Sequence, residues 1–126
     1  MHDARLGASL VIYIPKSPTG RYVGVKEGRK VKGRLSKYTV RNHANNVERY
    51  AVHWPINCEI VSPSFLVGLF FEPLKAAESL EQFKAIFLFE NFAYPQSLRE
   101  AYRICKAITE EQQVRMFKTG TMPTIS

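Results

Sequence analysis

The chain has 126 residues, of which 45% are apolar and 23% charged, and it carries a formal net charge of +7. A chain of this length holds one domain and can bury roughly two-thirds of its unfolded surface, so its core needs no metal or disulfide staples. The charged fraction argues against disorder, and no apolar run approaches the ~20 residues that span a bilayer.

Residues Met1 to Leu10 include Asp3, Arg5 and only scattered apolar side chains, unlike a signal peptide, so the cytoplasm is the expected compartment. Ala8 to Ile14 is a short run rich in β-branched residues, stopped by Pro15, and reads as a strand. A turn cluster, Lys16-Ser17-Pro18-Thr19-Gly20, follows. Tyr22 to Lys26 and Arg29 to Lys32 flank Glu27-Gly28, and this predicts a β-hairpin with a basic solvent face.

The placement of charge says more than its total. From Lys16 to Arg41 nine basic residues face a single acid, Glu27, whereas residues 42–126 hold eight basic and nine acidic residues. A segment so one-sided attracts phosphate or acidic surfaces through long-range, salt-sensitive electrostatics. Its polyanion-binding candidates are Arg21, Lys26, Arg29, Lys30, Lys32, Arg34 and Lys37. The pattern fits binding to a polyanion or an acidic protein, although solvated charge runs are common. The alternative function it offers is a small nucleic-acid-binding protein using the hairpin of residues 21–34.

Leu35 to Asn46 holds no clear period and reads as a loop. Tyr50 to Trp54 predicts a strand broken at Pro55, with Cys58 to Val61 continuing it after a turn. Ser62-Pro63 places an N-cap residue before a proline at the first helical position, ahead of Phe65, Leu66, Leu69, Phe70 and Leu74 at helical spacing. Ser79 to Gln82 is a capping box for a short helical turn ending near Phe83. Ala85 to Phe89 is then a continuous apolar strand, the pattern of a strand covered on both faces. Leu98, Ala101, Tyr102, Cys105 and Ile108 form one helical stripe. Thr109 to Gln112 caps a last helix that runs to about Lys118, with Gly120 beyond it.

Strand, helix, strand, helix from Tyr50 onward predicts an α/β domain, a small mixed sheet covered by helices with a parallel crossover. Residues 1–126 read as one domain. An N-terminal strand, basic hairpin and loop occupy 1–49, an α/β core 50–118 and a flexible tail 119–126.

Few residues point to chemistry. Cys58 and Cys105 lie far apart, outside any C-x-x-C spacing, and are expected as reduced, half-buried thiols. His53 and Cys58 invite a nucleophile–base reading but lack an orienting third group, and no phosphate loop or metal-ligand spacing is present. No enzyme activity, metal or cofactor is expected. Phe71 and Phe92 are aromatics in excess of a small core and are expected to reach a partner surface.

The run Cys58 to Leu69 resembles the strand-to-helix junction of the STAS-like domains, small bacterial proteins related in fold to anti-sigma-factor antagonists. Leu80 to Lys84, the strand after it, Asn91 and the helix through Leu98 follow in the order of that family, so the resemblance covers roughly residues 50–108. It implies a regulatory protein-interaction domain. It also implies a phosphoacceptor serine at the start of the helix, matched by Ser64 with Ser62 its neighbour, and a histidine-kinase-like ATPase or other regulator as partner. Three positions depart from the pattern: Pro63 stands where an acid precedes the serine, His53-Trp54 where the strand often ends in Asp-Phe, and Val67-Gly68 where an early helix acid is common. On the residues alone, Ser62 reads as a helix cap and Ser64 as first-turn filler.

Overall fold

The computed structural model describes residues 10–35 and 49–125. In chain order it contains β1 (Leu10–Tyr13), β2 (Arg21–Tyr22), α1 (Val25–Arg34), β3 (Tyr50–His53) and β4 (Ile60–Val61). These are followed by α2 (Pro63–Ala76), α3 (Leu80–Ile86), β5 (Phe87–Glu90), α4 (Pro95–Ala107) and α5 (Glu110–Thr119). The class is α/β, as expected. The mixed sheet is instead two small parallel sheets, one ordered β1-β3-β5 and the other β2-β4.

Proline placement explains the split. Tyr13 pairs with His53, so Pro15 and Pro55 fall at the same register of neighbouring strands. A proline cannot donate to a ladder, so both strands break together. The same two chain segments then pair again as β2 and β4, Arg21 opposite Ile60 and Tyr22 opposite Val61. Strand, proline, short strand and helix thus occur twice in succession, side by side and parallel. The helices that follow them begin side by side, the Gly24 N–H ahead of α1 lying 3.4 Å from the Ser62 Oγ ahead of the next helix.

The segment expected as a basic hairpin is one of these helices, α1. Gly28, expected in the hairpin's turn, has a different role. Val25, Gly28 and Val31 are the buried positions of α1, a helical spacing whose middle member is a glycine. Gly28 faces Gly68 of α2: a Cβ at Gly28 would lie 2.3 Å from the Phe65 carbonyl oxygen, and one at Gly68 would lie 2.3 Å from that of Val25. The two backbones therefore touch, and no side chain larger than hydrogen fits between them.

α2 is the central element. Phe65, Leu66, Val67, Gly68, Leu69, Phe70, Phe71, Pro73 and Leu74 are all buried, the composition of a helix covered on every side. Pro73 lacks the N–H that would bond one turn back, and the helix departs from helical geometry at Phe70 (φ −120°, ψ 27°). Across the sheet interface, the Phe70 ring lies 5.2 Å from Phe87 and 5.5 Å from Phe89, and Phe65 lies 6.3 Å from the fully buried Trp54. Each such ring contributes about 1.5–3 kcal/mol by leaving water.

Two elements differ from expectation in the second half. α3 continues to Ile86, so β5 begins at Phe87 instead of Ala85. A short apolar run suits either state. Here the Phe87 N–H bonds the Phe83 carbonyl and extends the helix through the run's start. β5 also lies at a sheet edge, where only Phe87 is buried, so it is not covered on both faces. Phe71 is buried against the Phe117 ring at 5.0 Å and does not reach a partner surface. Phe92 is half-buried over Trp54 and Phe89. Among the described residues, no helix is long and apolar enough to cross a membrane.

Gly28→Ala and Gly68→Ala should each destabilise the protein by about 2–3 kcal/mol or more, because the added methyl meets backbone that cannot rotate aside. Gly33, also in α1, has nothing within 4 Å of a built Cβ. Gly33→Ala should be neutral or stabilise by about 0.5–1 kcal/mol through helix propensity. Urea unfolding of the three variants checks both statements.

Candidate functional site

The start of α2 is formed directly out of β4. Ser62 has extended geometry (φ −80°, ψ 157°), and its Oγ accepts the Phe65 N–H at 3.1 Å, satisfying one of the free amides of the first turn. Its own N–H donates to the Tyr22 carbonyl at 2.9 Å, which joins the cap to the second sheet. Pro63 occupies the first helical position, where a missing N–H costs nothing.

Ser64 lies one step further on, and the two hydroxyls are 2.9 Å apart. The partner that sequence reasoning missed is Gly24, the residue that opens α1. Its N–H donates to Ser64 Oγ at 3.1 Å and reaches Ser62 Oγ at 3.4 Å. Gly24 has φ 99°, a conformation that side-chain-bearing residues rarely adopt, and makes no side-chain cap of its own. Two helix N-termini therefore meet at a pair of hydroxyls. Ser62, Pro63 and Ser64 are half-buried, while Phe65 beneath them is fully buried.

The basic candidates are sorted by α1 into different environments. Arg29 turns inward: its Nη1 donates to the Gly68 carbonyl and to Glu72, both at 3.2 Å, and its guanidinium lies 4.2 Å from the Phe117 ring centre. It is a clamp between α1, α2 and α5. The Lys26 stem lies against Gly120, and the exposed Lys30 approaches Glu27 at 4.0 Å. Lys32 is half-buried, and Arg21 and Arg34 are exposed. Lys37 lies outside the described residues. The six described candidates thus do not all lie on one basic face.

Loop shape near Arg21 is set by Tyr22. Its phenol donates to the Pro15 carbonyl at 2.7 Å and accepts the Ser17 N–H at 2.8 Å. Burial pushes this phenol's pKa up, against the lowering effect of the Ser17 N–H.

Elsewhere the polar groups serve the fold. Lys75 Nζ donates to the Cys105 and Ile108 carbonyls, and Lys106 Nζ to those of Lys75 and Ala77, so each lysine satisfies carbonyls at the other's helix end. His53 Nδ1 sits 3.3 Å from Glu90 Oε1, and the His53 ring is 5.5 Å from that of Tyr13. Cys58 lies in the turn after Pro55, where burial raises its thiol pKa, the wrong direction for a nucleophile. Among the described residues, no three His, Cys, Asp or Glu side chains are grouped to hold a metal ion.

Removing the cap with Ser62→Ala should cost about 1 kcal/mol, more than Ser64→Ala. Ser62 accepts the Phe65 amide in the first turn of α2, whereas Ser64 accepts the Gly24 N–H, which Ser62 Oγ also approaches. Equilibrium unfolding measures the difference. The two thiols should also separate. Cys105 is fully buried and burial pushes its pKa up to about 12, whereas Cys58 is half-buried. Alkylation of the folded protein at pH 8 should label Cys58 alone, with Cys105 reacting only after denaturation. A thiol at roughly 8.5 when unfolded and higher when folded stabilises the fold fully below that unfolded value. That contribution should be lost as pH rises toward about 12, which unfolding curves across alkaline pH will read.

No protein-family model matches this chain, and no curated protein or solved structure matches it.

Proposed function

We propose that this chain is a regulatory protein-interaction domain of the STAS-like kind, docking a partner at the start of α2 under the control of phosphorylation at Ser64. The partner class that the resemblance implies is a histidine-kinase-like ATPase or a related regulator. The observation that carries the reading is the pair of half-buried hydroxyls, Ser62 and Ser64, where α2 emerges from β4. The chemistry supports a switch. A phosphoserine carries about −1.5 to −2 charge, and helix N-termini favour negative charge through their free amides and dipole. Ser64 Oγ is engaged by the Gly24 N–H and by Ser62. Esterifying that oxygen adds bulk and charge where the two helix starts meet, so the Gly24 contact must open or rearrange. The modified surface differs from the unmodified one in both charge and shape.

Incubation with ATP and an extract of the source cells, followed by intact-mass analysis, tests the proposal. The expected result is one added phosphate on wild type, mapped to Ser64 by fragmentation and absent from Ser64→Ala. A wild type that acquires no phosphate, or an equal addition on Ser64→Ala, refutes the switch.

A further inference from the structure

We propose that the cleft between the Pro15–Arg21 loop and α1 binds a phosphate-bearing ligand of nucleotide size through Lys16, Arg21 and Arg34. The cleft measures about 670 Å³, within the roughly 300–1,000 Å³ of small-molecule sites. Those three cations line it, with Glu27 as the one acid in its wall.

These three cations share one concavity and have no ion-pair partner among the described residues. Arg29 is bound to Glu72, Lys30 is within 4.0 Å of Glu27, and Lys75 and Lys106 hold helix-end carbonyls. Lys16, Arg21 and Arg34 are exposed, and none makes an ion pair among the described residues. Like charges around one concavity repel, and a bound anion relieves that repulsion while gaining charge-assisted hydrogen bonds. Arginine's planar fork matches phosphate oxygens in pairs.

The cleft wall is also held in shape before any ligand arrives. The Tyr22 phenol ties Pro15 to Ser17, the Gly20 N–H bonds the Ser17 carbonyl at 3.1 Å, and the Gly20 carbonyl accepts from the Glu59 N–H at 2.7 Å. A loop fixed in this way loses little entropy on binding. Tyr22, Val23 and Val31 add apolar lining, which a bare phosphate does not use and a ring or sugar does. The site does not depend on Ser64, and its test is separate.

Titration calorimetry at low salt with inorganic pyrophosphate, a nucleoside diphosphate and a short single-stranded oligonucleotide tests the assignment. The expected result is saturable binding that weakens as salt rises. Arg21→Gln and Arg34→Gln should each weaken binding roughly tenfold, the worth of one charge-assisted contact. Lys16→Gln provides a third variant should either arginine variant misfold. The double variant Lys84→Gln/Lys118→Gln removes two positive charges elsewhere and should leave binding within about twofold. Binding of the diphosphate without the oligonucleotide assigns a free phosphate ester, and cleft-dependent binding of the oligonucleotide assigns a backbone phosphodiester. No saturable binding of any probe, or equal weakening by the control pair, overturns the proposal.

Discussion

The contact between Gly28 and Gly68 constrains the rest of the molecule. At that point α1 and α2 approach until a Cβ on either would overlap backbone of the other. Gly24 lies four residues before Gly28, and Ser64 four before Gly68, so each helix start stands one turn above the crossing. Helices this close cannot shift independently, because a packed interface has no free volume to absorb the movement. The Gly24 N–H is therefore held within hydrogen-bonding distance of both serine hydroxyls by a contact formed a full turn away.

The crossing depends in turn on the strands beneath it. β1 beside β3 and β2 beside β4 are parallel pairs, broken by prolines at equal register. The helices that leave these strands start side by side, with the Gly24 N–H of one 3.4 Å from the Ser62 Oγ of the other. Arg29 adds a lock from the side, binding Glu72 and the Gly68 carbonyl at the crossing itself. One of the most basic stretches of the chain thus spends a cation on holding the fold together, and this is why counting charges along the segment overstates its binding surface.

Much of this could be read from the sequence, and what could not has definite causes. Ser62-Pro63, Thr109 to Gln112 and Gly120 were legible because caps are local: their side chains bond amides three residues away or supply a left-handed turn. The strands at Tyr50 and β5 were legible as apolar runs, although the Ala85–Ile86 boundary was not, since such a run suits either state. α1 was misread because its core stripe includes a glycine. Gly28 is buried for what it lacks, and a hydrophobic pattern cannot register the absence of a side chain. The partner that makes the absence useful, Gly68, is forty residues away. The site followed the same rule. Ser62 and Ser64 stood out next to Pro63, whereas Gly24 and the Tyr22 phenol act across the sheet and carry no local signal.

The two proposed sites share a wall. Val23 lines the cleft, and the next residue, Gly24, donates to Ser64. Tyr22 supplies the phenol that shapes the cleft loop, and its carbonyl accepts the Ser62 N–H at the cap. Any event that opens the Gly24–Ser64 contact therefore acts on the residue adjoining the cleft. If both sites operate, thermodynamic reciprocity requires that an anion in the cleft and a phosphate on Ser64 influence each other by the same factor. The sign follows from charge. Two anions on neighbouring surfaces repel, and salt weakens that repulsion with distance, so each should weaken the other most at low ionic strength. A ligand that strengthened the effect of Ser64 phosphorylation would instead require a change in the wall large enough to outweigh that repulsion.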